Sequence, residues 1–438
     1  MYTTNIPSFE KKATDISDFL APSLAEDWPK LLVERAKGSY LYTTDGREYL
    51  DFTSGIGVTN VGHCHPRVID AARRQMEKMI HSSIGVTLHE SLFTLCERLI
   101  EVLPTGLNMF FFGNSGSEAV EGALKLARYV KQRPAIIAFE GGFHGRNFGS
   151  TSVTSVKSKY RLHYEPLLPG IYFAPFAYPF RCPIGTEPGK STEWSMRGIQ
   201  NLFEHFVQPS EVAAFLVEPV QGEGGYIVPP PEFLQGLRKL CDEYDILLIL
   251  DEVQTGFGRT GEMFASQVFN IRPDIMAVAK GIASGFPLGA TIAGRDLMKK
   301  WSAGSHGTTF GGNPVACAAA IATQDIIREE NLLENSRKMG ARLLSGIKDF
   351  ETRYSSVGEA RGVGLMLAME MIIPDETKTP NPTMAMAVLE GCLDRGLLAY
   401  MAGNKNQVVR LIPPLNVTSE QVDRALQIID DSLAAAHL

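Results

Sequence analysis

Short apolar runs with no helical spacing recur through the middle of the chain, each closed by a charged or glycine-rich turn. The clearest is Ile246-Leu247-Leu248-Ile249-Leu250, five apolar residues in a row. It predicts a strand buried on both faces of a parallel sheet. Asp251 and Glu252 end it, and Thr255-Gly256-Phe257-Gly258 breaks the pattern. Asp274-Ile275-Met276-Ala277-Val278-Ala279 repeats the design but ends in Lys280. Upstream, Met109–Phe112, Ala135–Phe139 and Ala213–Val217 predict further strands, the last ending in Glu218, and Ser117–Tyr129 predicts a helix. Repeated βα units imply an α/β fold with a mainly parallel central sheet and helices on both faces. Residues 155–200, rich in Pro, Tyr, Phe and Gly, interrupt the series as a long ordered excursion.

Outside this middle section the pattern changes. The first thirty residues are polar and irregular, like an arm lying on something else. Tyr40 to Phe52 alternates around Asp45-Gly46 and predicts a β-hairpin. Ser54–Val58 is a glycine-rich loop, and helices are expected over about Pro66–Met79 and Leu88–Val102. Beyond Asp325 come more helix, strands at Met366–Met371 and Gln407–Ile412, a helix near 384–395, and a last helix capped by Thr418 or Ser419. The expected organisation has an arm and hairpin over 1–58, a large domain over 59–324 and a small α+β domain over 325–438. The hairpin is expected to join the small domain, because chain ends often lie close together.

Composition narrows the function classes. The net charge is −7, so there is no basic footprint for nucleic acid. No apolar run is long enough to span a bilayer, and residues 1–10 lack the pattern of a secretory signal. Six cysteines are scattered singly, without a C-x-x-C pair, which argues for a reducing, cytoplasmic compartment. His63-Cys64-His65 is too tightly spaced for a metal site and has no partner cluster, so it is expected to form a turn before Pro66, and no metal is expected.

Four places could carry chemistry. Asp251 stands at a strand C-terminus, where open α/β sheets bind ligands, although helix capping is the commoner use of such an acid. Lys280 comes after an apolar strand, where partial desolvation lowers an amine's pKa and makes it nucleophilic toward carbonyls. Asn114-Ser115-Gly116-Ser117 lies between a strand and a helix, a turn that suits either capping or an anion. Gly142-Phe143-His144-Gly145-Arg146 offers an aromatic to stack on a planar ring and a guanidinium for a carboxylate. An aspartate and a lysine so placed fit a plain ion pair or the two ends of one cofactor. Taken together the four sites match a planar, phosphorylated pyridine aldehyde.

At this point the chain resembles the class III pyridoxal-phosphate aminotransferases, of fold type I. The resemblance rests on Ser115-Gly116-Ser117-Glu118-Ala119, Gly142 to Arg146, Glu218 to Gly225, Asp251 to Gly261, Lys280-Gly281 and Thr308 to Pro314, six motifs in order. It implies that Lys280 forms the Schiff base with pyridoxal 5'-phosphate and carries the 1,3-proton shift. Asp251 would pair with the pyridine nitrogen, Val253 and Phe143 would sandwich the ring, with His144 beside them, and Gln254 would bond the 3-oxygen. Ser115, Gly116 and Ser117 would bind the phosphate, joined by Thr309 of a neighbouring subunit, so a homodimer or a dimer of dimers is implied. Glu223 and Arg410 match the family's switch pair: Arg410 would bind an α-carboxylate, or be neutralised by Glu223 when an ω-amino substrate is bound. Arg146 would hold the distal carboxylate. Ile56 stands where ornithine-type members carry a tyrosine. The resemblance therefore implies amino transfer from an ω-amino acid, 4-aminobutyrate first, to 2-oxoglutarate. Acetylornithine or other amine transfer, and amino-acid racemisation on the same fold, remain the alternatives.

Overall fold

The computed structural model describes Ala21, Ser23 and residues 31–437; the expected arm lies almost wholly outside these residues. Three strands open the described chain: β1 (Val33–Lys37), β2 (Tyr40–Thr43) and β3 (Glu48–Asp51). Seven more come next: β4 (Met109–Gly113), β5 (Ala135–Phe139), β6 (Ile171–Ala174), β7 (Val212–Val217), β8 (Leu247–Asp251), β9 (Ile275–Val278) and β10 (Gly289–Ala293). The last five are β11 (Val357–Val363), β12 (Met366–Met371), β13 (Leu397–Leu398), β14 (Tyr400–Ala402) and β15 (Val408–Leu411).

The middle seven form one sheet in the order β4-β10-β9-β8-β7-β5-β6. Every residue of β5, β7, β8 and β9 is buried, as apolar runs without alternation require of strands covered on both faces. β9-β8, β8-β7, β7-β5 and β5-β6 pair parallel. The exception is β10, which runs antiparallel between β4 and β9. Its sequence, Gly-Ala-Thr-Ile-Ala, has too little apolar bulk to announce a strand. β6 also goes beyond the sequence reading, because it lies inside the stretch expected to be an excursion and pairs parallel with β5.

Gly289 shows why β10 begins as it does. It pairs with Gly113 at the end of β4, and a Cβ there would overlap the Ser115 carbonyl oxygen. The turn opening the next helix therefore rests on a bare backbone. Gly289→Ala is expected to cost about 1–3 kcal/mol by overpacking against backbone that cannot move aside. Urea unfolding would measure it, and a loss under about 0.5 kcal/mol would mean that the turn can shift.

The hairpin forms as expected, with Tyr40 opposite Leu50 and Tyr42 opposite Glu48. A third strand, β1, is added at its outer edge, and β3 pairs parallel with the distant β13 through Leu50 and Leu397. β11-β12-β15-β14 form a separate antiparallel sheet. Leu50, Phe52, Val278, Leu367, Leu411 and Ile429 share one apolar cluster, so hairpin, large sheet and C-terminal elements are packed together. The helix Glu90–Val102 buries Leu92, Leu95 and Leu99, and the C-terminal helix Ser419–Ala436 is capped by Thr418, whose hydroxyl accepts from the Gln421 amide.

Ser54–Gly57 is no ordinary loop. Ser54, Gly55, Ile56 and Gly57 have φ of 47°, 61°, 66° and 73°, a left-handed turn. For a β-branched residue such as Ile56 this is costly, about 1–2 kcal/mol. Asp51 holds the turn, its Oδ1 accepting from the Thr53 and Ser54 amides at 2.7 and 3.2 Å while Oδ2 meets His63 Nε2 at 2.7 Å. Strain concentrated at a half-exposed apolar side chain is a feature of functional surfaces.

Candidate active site

Asp251 ends β8, Glu218 comes directly after β7, and Lys280 stands two residues beyond β9. The 141–146 loop leads away from β5 and the Ser115 turn from β4, so all five lie at strand C-termini on one edge of the sheet. The two acids that close β8 have different fates. Glu252 is wholly buried and accepts from the Ala265 and Ser266 amides at 3.0 and 2.7 Å, with Thr255 as a further donor. It is spent on capping. Asp251 is buried too, but its Oδ1 takes only the Val253 amide at 3.0 Å while Oδ2 lies 2.8 Å from His144 Nδ1.

His144, in the loop after β5, is thus a buried partner of the aspartate. Burial works against its imidazolium, but the Asp251 bond and charge, with Glu218 behind them, outweigh that and raise its pKa. Glu218 sits beside them, its two oxygens accepting from the Gly222 and Phe143 amides at 2.9 Å each. Burial, aided by the Asp251 charge against the pull of His144, pushes its carboxyl up to about 7. The sequence placed Glu218 at a strand end without a role. Its contact with the Phe143 loop comes from another strand and has no local signal.

Lys280 has φ 47° and is partly buried. Burial first, then the Arg410 charge, push its amine down to about 8, against Asp251, Glu218 and Glu223. Below about pH 8 the amine is mostly protonated, and only its neutral fraction can attack a carbonyl; above it the neutral form prevails. Carbonyl capture by the apoprotein should therefore speed up about tenfold per pH unit below that midpoint and level off above it. The growth of visible cofactor absorbance would track this, and a rate unchanged between about pH 6 and pH 10 would contradict the reading.

At the Ser115 turn, capping and anion binding turn out to be compatible. Ser115 is the N-cap of the helix Gly116–Lys131, its Oγ accepting from the Glu118 amide at 3.2 Å. That uses one first-turn amide. Those of Gly116 and Ser117 lie beyond the reach of intrahelical bonding and carry the positive end of the helix dipole. Ser117 Oγ accepts from the Arg146 amide at 3.1 Å, which leaves its own hydrogen to donate. A Cβ on Gly116 would meet Val253 Cγ1 at 2.8 Å, so glycine is what lets the turn approach Val253.

The residues fit pyridoxal phosphate on a further count. Gln254 Oε1 is a buried oxygen with no hydrogen-bond partner among the described residues, and an unpaired buried acceptor is costly unless a ligand supplies the donor. With an amine of lowered pKa, a buried Asp–His pair and a bare helix N-terminus, the set offers one group to each functional part of that molecule.

Arg410 is buried beneath Tyr400, its guanidinium carbon 4.9 Å from the ring centroid. Its Nη1 pairs with Glu223 Oε2 at 3.0 Å. Arg146 is exposed and lies over the Tyr160 ring at 3.8 Å, with Phe143 at 5.6 Å. The Tyr160 hydroxyl donates to Glu223 Oε1 at 3.4 Å, so the two arginines are linked through one phenol and one carboxylate. Tyr160 belongs to the excursion and was not anticipated. Thr309 is exposed in the loop before the helix Pro314–Glu329, a loop pressed against β4 where Gly311 approaches the Phe112 carbonyl.

The chain is similar to known proteins over nearly its whole length. The aminotransferase class-III family model matches residues 23–433. An alanine/serine racemase of Pyrococcus horikoshii is 38% identical, covering 92% of this chain and 85% of that protein. A probable 4-aminobutyrate aminotransferase of Bacillus subtilis is 36% identical, covering 92% and 93%. An amine transaminase of an uncultivated Pseudomonas species, solved with pyridoxal phosphate bound, superposes with a TM-score of 0.90 at 32% identity, covering 95% and 98%. With a lysine, an aspartate and a helix N-terminus gathered at one sheet edge and a family match across nearly its whole length, the chain belongs to the class III aminotransferases, enzymes of fold type I that work with pyridoxal phosphate.

Proposed function

We propose that the enzyme moves the amino group of an ω-amino acid, 4-aminobutyrate first, to a 2-oxo acid such as 2-oxoglutarate. The observation that carries this is the pair of buried Arg410 with half-buried Glu223 at 3.0 Å, with Arg146 exposed at the surface nearby. A guanidinium held by a carboxylate can exchange that partner for a substrate carboxylate, so one pocket takes both a charged and an uncharged end. Arg146 holds the far carboxylate in either case, and Ile56 lines the approach.

Bound pyridoxal phosphate supplies an electron sink for the charge left when a substrate proton departs. The chain's residues hold it and move that proton. Lys280 would attach the cofactor and move the proton, Asp251 backed by His144 would keep the ring nitrogen protonated, and Phe143 and Val253 would flank the ring. Gln254 would bond the 3-oxygen, and Ser115, Gly116 and Ser117 would hold the phosphate.

A second copy completes the site through Thr309. Ile80, Val86, Leu88, Phe93 and Phe310 are exposed, Val86 by 84%, and the Phe310 ring lies 4.9 Å from His81, so the Thr309 loop borders this apolar face. Faces of this kind mark subunit contacts. Mixing Lys280→Ala with a Thr309→Ala variant is expected to restore part of the activity, since each heterodimer then holds one site with both residues intact. No recovery in verified heterodimers would count against shared sites. Six free cysteines, three of them buried, fit a reducing cytoplasm, and no helix among the described residues is long and apolar enough to cross a membrane. We place the domain boundaries after residues 58 and 324.

The test is a half-reaction panel of 4-aminobutyrate, acetylornithine, ornithine, β-alanine, lysine and α-amino acids. Loss of the visible cofactor band with an ω-amino acid, reversed by 2-oxoglutarate, supports the proposal. The second reading, a racemase, is favoured by the relative of that name at 38% identity. It would show as loss of optical activity from one amino acid at constant absorbance, with no acceptor present.

A further inference from the structure

Glu223 does not face Arg410 alone. Lys157 Nζ lies 3.3 Å from Glu223 Oε1, the oxygen that Arg410 does not use, and donates to Asn406 Oδ1 at 2.7 Å. Lys157 comes from the excursion before β6, and its side chain is only 9% exposed. Asn406 lies between β14 and β15 with φ 61°, and Gly403 in the same turn donates its amide to the Glu223 carbonyl at 2.9 Å. The amine is thus fixed between two acceptors, and Glu223 is shared by a lysine, a tyrosine and an arginine.

The charges decide what this does. Lys157, Arg410 and Glu223 are two cations and one anion, so the resting cluster carries one positive charge and an incoming carboxylate brings it to zero. Arg410 and Glu223 alone would go from zero to one negative charge. When Arg410 releases Glu223, Lys157 and Tyr160 still hold its carboxylate, so the released partner is not left buried and unpaired, the costly step in such exchanges. We infer that Lys157 is a specificity-determining residue that acts through Glu223 to free Arg410 for substrate carboxylates, tilting the enzyme toward dicarboxylate acceptors.

This rests on the Arg410–Glu223 exchange proposed above, and the test separates the two. Glutarate, a dicarboxylate that cannot react, is titrated calorimetrically into holoenzyme of the wild type, Lys157→Met, Lys157→Arg, Glu223→Gln, the Lys157→Met/Glu223→Gln double variant and Arg410→Met. Arg410→Lys replaces the last if the methionine variant fails to accumulate. Lys157→Met is expected to weaken glutarate about tenfold, Lys157→Arg to restore most of it, and the loss to vanish in the Glu223→Gln background. An equal loss in both backgrounds means that Lys157 only supports the fold, and no loss in Lys157→Met while Arg410→Met abolishes binding means that the lysine has no role; either overturns the inference alone. Glutarate binding that is absent from the wild type, or untouched in the Arg410 variant, overturns the exchange itself and the inference with it.

Discussion

Lys280→Ala protein is expected to lose roughly 10⁴-fold in kcat, the upper end of what a positioned acid–base group contributes. The loss should be larger than for any other single change in the site. Lys280 combines three properties that no other lysine in the described chain shares. It stands just beyond the buried strand β9, its amine is pushed down to about 8, and it faces Asp251, Glu218 and Glu223. Borohydride reduction of the wild type should fix the cofactor on the peptide containing Lys280, and the variant should bind the cofactor only reversibly. Small primary amines added to the variant should recover part of the proton-transfer rate. Cofactor fixed at the active site of the variant through a different lysine would mean that strand β9 was given the wrong role.

Asp251→Asn comes second. Removing the charge leaves a group of the same shape, but the pyridine nitrogen loses the anion that keeps it protonated. A loss of about 3–4 kcal/mol of transition-state stabilisation is expected, a hundredfold to a thousandfold in the half-reaction rate. His144 gives an independent readout. Its pKa is raised because Asp251, and behind it Glu218, outweigh the cost of burial, so without the Asp251 charge the cost of burial should prevail and the imidazole pKa should fall. Histidine NMR titration of the variant measures that shift. A wild-type rate together with an unmoved His144 would show that the buried pair is merely structural.

Much of this site was written locally. A strand buried on both faces needs a continuous apolar run, and such runs at 135–139, 213–217 and 246–250 are legible one at a time. The group that closes each strand is equally local: an acid, a lysine, a small-residue turn. Asp251 and Lys280 could therefore be set at one sheet edge from their order alone, because parallel strands joined by crossovers put their C-termini on one side. The Asp45-Gly46 hairpin and the Thr418 cap belong to the same class, being stretches whose own chemistry decides their shape.

Other features depend on segments far apart in the chain. β10 is a strand because a gap between β4 and β9 has to be filled, and its small residues fit where Gly289 meets the Ser115 turn. Neither β13 nor its pairing with β3 could be foreseen from two residues, Leu397 and Leu398. The assignment of Glu252 to capping and Asp251 to His144 was equally undetermined, since both acids stand at the same strand end and only the elements packed around them tell them apart. Lys157 and Tyr160 reach Glu223 across more than sixty residues of chain. Amino-acid order by itself determined the strands, their ends and the residue types placed there, because those depend on local apolar pattern and turn chemistry. Which acid met which base, and which charges came to share Glu223, was decided by tertiary packing, because electrostatic interaction depends on distance and burial and neither exists until the chain has folded.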